Sequence, residues 1–174
     1  MKSLRQKDDF YPTPPEATKA LLAVEQFDSH VWESAAGDGA ICKVLIDSDY
    51  MPIASDLNDY GYGCDTGIDF LMTTERPCDS LVTNPPYRLA DQFILHAINL
   101  GMRKHAWLVR LPFLEGSKRY DMLFKHHPPR WVWVFSKRLT IWRGDEEATG
   151  SGTTAYCWLV WENQNTMPPK VGWL

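Results

Sequence analysis

The sequence predicts one α/β domain built on a mostly parallel sheet, and three observations lead to this prediction. Short apolar runs alternate with helix-like stretches along the chain, which is typical of strands joined by helices. Glycine, proline, asparagine and aspartate residues separate these stretches. The length of 174 residues suits one domain, and a hydrophobic content of 44% excludes a disordered or fibrous chain. We therefore expect residues 1–174 to form a single domain.

The first half of the chain predicts two helices and two strands. Thr13, Pro14 and Glu16 have the spacing of a capping box with proline at the first helical position, which predicts that a helix begins here. The segment 57–63 is too rich in glycine, asparagine and aspartate to form a full helix. The other predicted elements are a strand at 30–33, a helix at 39–47, a strand at 51–56 and a short strand or turn near residue 68.

Proline and glycine residues delimit the elements of the second half. A strand at 78–83 ends before Pro85, and a helix at 88–101 ends at Gly101. The other predicted elements are a strand at 105–111, a helix at 117–126, a strand at 131–135, a long polar connection at 136–153 and a last strand at 156–161. The alternation of strands and helices thus continues through the whole chain.

Charge is distributed unevenly along the chain. Residues 1–87 carry 6 Lys/Arg against 15 Asp/Glu, whereas residues 88–143 carry 11 against 3. A basic stretch of this kind can face a phosphate backbone, although a solvated surface explains it equally well.

The location of the protein is indicated by its cysteines and its apolar runs. Four scattered cysteines without a C-x-x-C pair predict reduced thiols in a cytoplasmic protein. The polar first residues predict that no signal peptide is present. No run of 18 apolar residues exists, so we expect no membrane span.

A turn of small residues follows the first predicted strand and precedes a helix. Such a turn, here 34–39, forms a crevice at the carboxyl edge of a parallel sheet and lets a ligand approach the backbone. Asp56 ends the next strand, where a carboxylate can accept both ribose hydroxyls. Asp69 and Phe70 can bind an adenine, and Glu33 can hold an ammonium. These acids favour a cofactor without phosphates, and S-adenosylmethionine has the required ribose, adenine, ammonium and sulfonium groups.

The tetrapeptide 84–87, Asn-Pro-Pro-Tyr, directly follows the strand that ends at Thr83. Together with 33–39, Asp56, Asp69-Phe70 and the segment 10–14, it resembles the N6-adenine DNA methyltransferases of the class I Rossmann-like family. The resemblance extends from about residue 8 to the final strand. It implies a Rossmann-like fold, with helices on both faces of a mostly parallel sheet and an antiparallel final strand. It also implies a cofactor site that comprises Tyr11, Thr13, Glu33, Ala35, Gly37, Gly39, Asp56, Asp69, Phe70 and Asn84.

The resemblance assigns the chemistry to the tetrapeptide. An exocyclic amino group is a poor nucleophile because its lone pair delocalises into the ring. The Asn84 side-chain oxygen and the Pro85 carbonyl can accept its two N–H groups and free the lone pair. Pro85 and Pro86 fix the backbone, and the Tyr87 ring can stack on a base that is flipped out or single-stranded. These four residues are the predicted catalytic residues, and no metal or covalent enzyme intermediate is required.

Basic residues beyond the tetrapeptide predict where nucleic acid binds. They fall in or beside loops at the catalytic edge, and the connection 136–153 is expected to close over the target or line the groove. No insertion is long enough for a separate target-recognition domain. In this respect the chain resembles compact phage and prophage members of the family. The predicted nucleic-acid-binding residues are Arg88, Lys118, Arg119, Lys137, Arg138 and Arg143.

Three alternatives to an adenine DNA methyltransferase remain open. An RNA adenine methyltransferase would use the same chemistry on another polymer. A protein glutamine methyltransferase would present similar N–H groups to the same tetrapeptide, although the basic stretch favours a polyanion. A non-catalytic binding module could keep the fold, but the intact residues 84–87 and 37–39 argue against it.

Overall fold

The computed structural model describes residues 10–141, 154–163 and 165–174. Seven strands in these ranges form one sheet: β1 (His30–Glu33), β2 (Met51–Ala54), β3 (Ser80–Thr83), β4 (Lys104–Arg110), β5 (Trp131–Val134), β6 (Tyr156–Glu162) and β7 (Lys170–Trp173). Their order across the sheet is β2-β1-β3-β4-β6-β5-β7. Strands β1 to β4 are parallel, β6 is antiparallel to β4 and β5, and β7 is parallel to β5. The predicted mostly parallel sheet is therefore confirmed.

Helices cover both faces of the sheet. They are α1 (Pro15–Val24), α2 (Ala40–Asp47), α3 (Ala90–Asn99) and the single turn α4 (Ser117–Arg119), which continues as a π-helical turn over Tyr120–Phe124. The 3₁₀ turns Phe70–Met72 and Leu111–Leu114 complete the helical segments of the described chain. Helices α1 and α2 share one apolar core with the sheet, and α3 packs into a second core on the other face.

Alternate strand residues supply the two cores. Because successive side chains of a strand point to opposite faces, neighbours such as Val31 and Trp32 belong to different cores. The buried indole groups are also hydrogen-bonded, since Trp158 Nε1 donates to the Ala17 carbonyl oxygen at 2.9 Å. This bond fixes α1 to β6.

The start of α1 differs from the prediction. Pro14 is the N-cap residue, and the Thr13 side chain makes no capping hydrogen bond. Pro14 and Pro15 both lack an N–H group, so the first turn has fewer donors that need a cap. The predicted capping box is therefore wrong, and the Thr13 hydroxyl is used elsewhere.

Three further elements differ from the sequence prediction. Strand β7 follows the predicted last strand, and Pro168 and Pro169 directly precede it. The predicted helix at 117–126 ends at Phe124 and is mostly π-helical. Near residue 68 the chain forms no strand; instead Ser55 and Asp65 make an isolated bridge, and the turn at Phe70–Met72 follows.

The sheet order creates a crevice at the carboxyl ends of the parallel strands. Strand β1 has β2 on one side and β3 on the other, so the loops after β1 and β3 leave in opposite directions. Ligand sites form at such a reversal of strand order. Within the described ranges, no helix has the length and apolar character that crossing a bilayer requires.

Candidate active site

A cavity of about 570 Å³ lies in this crevice. Its volume is within the range of about 300–1,000 Å³ that is usual for small-molecule sites. The walls come from the segment before α1 and from the loops after β1, β2 and β3. The predicted site residues in these walls are Tyr11, Thr13, Glu33, Ala35, Gly37, Asp56, Asp69, Phe70, Asn84, Pro85, Pro86 and Arg88.

Glu33 ends β1 at the base of the cavity and is almost fully buried. Its Oε1 accepts hydrogen bonds from the Ala35 N–H, at 3.1 Å, and from the Thr83 hydroxyl. Its Oε2 has no partner among the described residues. Burial raises the pKa of this carboxyl to about 8, and the nearby Asp56 charge adds to the shift. A cation at Oε2 would favour the ionised form.

The Asp56 carboxylate stabilises the glycine turn through hydrogen bonds. Asp56 Oδ2 accepts the Gly37 N–H at 2.9 Å, and Oδ1 accepts the Asn58 N–H at 2.8 Å. Gly37 has a φ of +55°, and a Cβ there would meet the Phe10 ring at 2.5 Å. The turn therefore needs glycine for both its backbone conformation and its close neighbour. Each carboxylate oxygen of Asp56 retains a lone pair for a ligand hydroxyl.

Asp69 and Phe70 have structural roles beside the cavity. The Asp69 carboxylate accepts the Leu71 N–H at 3.0 Å and begins the 3₁₀ turn. Phe70 is 2% exposed and packs against Trp32 and Phe93 in the core. Both residues line the cavity, but little of the Phe70 ring is left for an adenine to cover.

Gly39 does not line the cavity. It is the N-cap residue of α2, with a φ of +77°, and a Cβ there would overlap the Tyr62 ring. The second glycine of the turn therefore serves the start of the helix and its contact with Tyr62.

The Asn84 amide has a defined orientation. Its Nδ2 donates to the Tyr11 carbonyl oxygen at 3.0 Å and to the Thr13 hydroxyl at 3.1 Å. Both amide hydrogens are thereby used. Its Oδ1 is buried and has no donor at hydrogen-bond geometry among the described residues, and the Tyr87 phenol is a neighbour of the amide. The acceptor that the sequence assigned to catalysis is therefore free, beside the cavity that Asn84 lines.

Three buried acceptors without partners belong to residues of this one cavity. They are Glu33 Oε2, Ser34 Oγ and Asn84 Oδ1. Buried polar atoms are normally hydrogen-bonded, so atoms of this kind indicate a ligand that donates hydrogen bonds. The charged residues in the walls are four acids, Glu33, Asp38, Asp56 and Asp69, and one base, Arg88. The cavity therefore suits a cationic ligand that carries N–H and O–H groups.

Tyr87 lies outside the walls of the cavity. Its ring is 5.3 Å from the Tyr11 ring and 6.2 Å from the Tyr156 ring, measured between centroids. The guanidinium of Arg110 lies over the Tyr87 ring at 4.6 Å. Burial raises the pKa of the Tyr87 phenol above its usual range. The ring predicted to stack on a base is thus covered by a cation in this structure.

The predicted nucleic-acid-binding residues have different surroundings. Arg88 is exposed at the cavity, and Lys118 and Lys137 are exposed in segments that follow the carboxyl ends of β4 and β5. Arg119 donates to the carbonyl oxygens of Phe113 and Glu115, so its contacts are internal. Arg138 is exposed, whereas Arg143 and most of the connection 136–153 lie outside the described residues.

Sequence reasoning missed four residues at this edge. Phe10 and Tyr60 stack with centroids 4.2 Å apart and line the cavity beside the glycine turn. Ser34 contributes an unpartnered hydroxyl, and Arg110 covers Tyr87. Arg110 had a usable signal, because it is a charged residue at the carboxyl end of an apolar strand. In the described parts of the chain, no three His, Cys, Asp or Glu side chains are arranged to hold a metal ion.

No family model matches this sequence, and no curated protein matches it. Solved structures of methyltransferases are similar to it in fold. A protein from Vibrio vulnificus YJ016, assigned as the modification subunit of a type I restriction enzyme, is 11% identical with a TM-score of 0.62, over 98% of this chain and 48% of that one. TrmN from Thermus thermophilus is 16% identical with a TM-score of 0.53, over 90% and 50% of the two chains.

A SAM-dependent O-methyltransferase from Thermotoga maritima is 12% identical with a TM-score of 0.52, over 94% of this chain and 70% of that one. The chain thus spans about half the length of the first two structures. At these identities the similarity establishes the fold, which is the Rossmann-like α/β fold found in methyltransferases.

Proposed function

We propose that this chain is an S-adenosylmethionine-dependent methyltransferase that acts on the exocyclic amino group of adenine in DNA. The observation that carries the proposal is the orientation of Asn84, whose Nδ2 is fully used while its buried Oδ1 has no described partner. A fixed acceptor at a ligand cavity is what an amine substrate requires.

The cavity fits S-adenosylmethionine, which would supply the methyl group. Glu33 Oε2 and Ser34 Oγ are unpartnered acceptors for an ammonium, and Asp56 can accept ribose hydroxyls. Asp69 would accept from an adenine amino group. The acidic walls match a cation, and a solved structure with the same fold is described as SAM-dependent.

Asn84 and Pro85 would hold the substrate amine. Asn84 Oδ1 accepts one N–H and the Pro85 carbonyl oxygen accepts the other, which frees the nitrogen lone pair. Because Tyr11 and Thr13 hold the amide and the prolines restrict the backbone, little reorganisation is needed when the substrate arrives. Tyr87 would support the base by stacking once its ring is accessible.

DNA is the proposed substrate because exposed basic side chains lie at the catalytic edge. Arg88, Lys118 and Lys137 are exposed there, and a restriction-modification subunit has the same fold. A base within a duplex cannot reach the cavity, so the adenine would be flipped out or single-stranded. We further propose that the residues of this chain act as one domain.

The substrate class can be tested directly. The protein is incubated with S-adenosylmethionine labelled in its methyl group and, in turn, with unmethylated DNA, RNA and a protein extract. Label on adenine N6 of DNA is the expected result. Label on RNA adenine or on protein glutamine would support the amine chemistry but identify a different substrate. Cofactor binding without transfer to any of the three would contradict the proposed activity.

A further inference from the structure

Arg110 is the last residue of β4 and lies between two tyrosines beside the catalytic tetrapeptide. Its guanidinium carbon is 4.6 Å from the centroid of the Tyr87 ring and 5.8 Å from that of the Tyr11 ring. The Tyr11 carbonyl oxygen accepts the Asn84 amide. The stack of Arg110 on Tyr87 is therefore adjacent to the residues that would hold the substrate amine.

A guanidinium and a nucleobase compete for the same kind of surface. Both are planar, and both stack on the face of an aromatic ring. The cation now lies over the ring that a base beside Asn84 and Pro85 would use for stacking. A base can stack on the face of Tyr87 that Arg110 covers only if Arg110 moves.

Arg110 is exposed, and its guanidinium hydrogen-bonds to the Tyr156 side chain. Within the described residues it forms no ion pair with a carboxylate. Cation–π contacts at exposed sites are weak, whereas a guanidinium binds a phosphate through strong, charge-assisted hydrogen bonds. A nucleotide offers the two groups together, a base for the ring and a phosphate for the cation.

We propose that Arg110 is a substrate-binding residue that exchanges partners: its guanidinium leaves Tyr87 when the target base arrives and binds a phosphate next to that base. This inference rests on the proposed function, because it requires a nucleotide substrate. This exchange makes Tyr87 accessible only to a base that is attached to a phosphate, and it therefore discriminates against free nucleosides.

The test uses two probes that differ in their phosphates. Binding of a short fluorescein-labelled single-stranded oligodeoxynucleotide of mixed sequence is measured across salt concentrations, and methyl transfer to this oligonucleotide and to deoxyadenosine is measured separately. Both are compared for the wild type, Arg110→Ala and Arg110→Lys. The control is Arg103→Ala, which removes an exposed arginine just before the other end of β4, where it pairs with Asp28.

Arg110→Ala is expected to weaken oligonucleotide binding about tenfold and to reduce the salt dependence by about one phosphate contact. Its activity on deoxyadenosine should stay equal or rise, because the Tyr87 face is uncovered. Arg110→Lys should recover most of the salt dependence, and Arg103→Ala should match the wild type.

Equal losses on both probes in Arg110→Ala would overturn the inference and make Arg110 a structural support of Tyr87. Unchanged oligonucleotide binding and salt dependence would overturn it as well. Failure of the proposed function is distinguishable, since the wild type itself would then methylate neither probe.

Discussion

One backbone oxygen and one side-chain oxygen determine the orientation of the Asn84 amide. The Tyr11 carbonyl and the Thr13 hydroxyl each accept one of its amide hydrogens, so the side-chain oxygen is the atom left for a ligand. The sequence placed Thr13 at a helix cap and assigned Asn84 to catalysis, but their contact joins residues 71 positions apart. A pairing of that kind depends on the fold and has no local signal.

Substituting Thr13 tests this positioning. Thr13→Val removes the hydroxyl acceptor and keeps nearly the same side-chain shape. The loss of this hydrogen bond, of about 1 kcal/mol, would allow the Asn84 amide to rotate. We expect kcat for methyl transfer to fall about fivefold. Thr13→Ser, which keeps the hydroxyl, should restore most of the rate, and equal rates for the two variants would contradict a role for the hydroxyl.

The Glu33 carboxyl makes the stability of the cofactor-free protein depend on pH. Its pKa is raised from 4.5 to about 8 by burial, so between these values the folded protein holds a proton that the unfolded chain releases. The contribution of Glu33 to the free energy of unfolding therefore decreases as pH rises through this window and then levels off.

Glu33→Gln removes this dependence. In thermal unfolding without cofactor, the Tm of the variant relative to the wild type should increase from pH 5 to pH 8. The matched control is Glu16→Gln, which removes an exposed carboxylate on α1. A Tm difference for Glu33→Gln that stays constant over this range would show that burial does not retain the proton.

The start of α2 contributes Ala40 and Ile41 to the cavity wall, and Gly39 precedes them as the N-cap residue. Gly39 combines a positive φ with a Tyr62 ring that leaves no room for a Cβ. The sequence identified the glycine-containing turn correctly, but the contact with Tyr62 comes from a loop 23 residues away that has no regular structure.

Gly39→Ala is expected to be more damaging than a glycine substitution with the same backbone strain. Gly61 provides this comparison, because its φ is +79° and a Cβ there meets nothing within 4 Å. Gly39→Ala should lower the free energy of unfolding by about 1–3 kcal/mol more than Gly61→Ala, since only the first must displace a ring. Urea unfolding measures the difference, and equal losses would mean that Tyr62 moves aside freely.

Strand and helix positions followed from local patterns where burial is periodic or prolines intervene. The buried strand Ser80–Thr83 and the helix Ala90–Asn99 are examples, and both were predicted within about two residues at each end. Strand β7 was missed because only four residues follow Pro169 before Leu174, with exposed side chains and a glycine. Its position is determined by pairing with β5, where a Cβ at Gly172 would meet the Trp133 ring.

Across the whole molecule, part of the charge asymmetry is neutralised by folding. Lys104 pairs with Glu25 at 2.7 Å, and Arg103 pairs with Asp28 at 2.6 Å. These two basic side chains belong to the basic stretch 88–143, and their partners belong to the acidic half 1–87. Because linear charge counts cannot identify such pairs, the sequence overstated the surface that can bind a polyanion.

The remaining basic surface at the catalytic edge can be tested with paired substitutions. Lys118→Ala with Lys137→Ala should weaken DNA binding about tenfold at low salt and reduce its salt dependence. The control double variant, Arg103→Ala with Lys125→Ala, removes two exposed cations outside this edge. If both double variants lost equal affinity, net charge rather than the catalytic edge would govern binding.

The proposed function requires Asn84 Oδ1 to accept a hydrogen bond from the amine that is methylated. Its most direct test is the rate of labelled methyl transfer to unmethylated DNA by the wild type and by Asn84→Ala, with cofactor binding measured by calorimetry on the same samples. We expect the variant to bind the cofactor and to transfer about 100-fold more slowly or worse. Transfer by Asn84→Ala at the wild-type rate would contradict this role of the Asn84 oxygen.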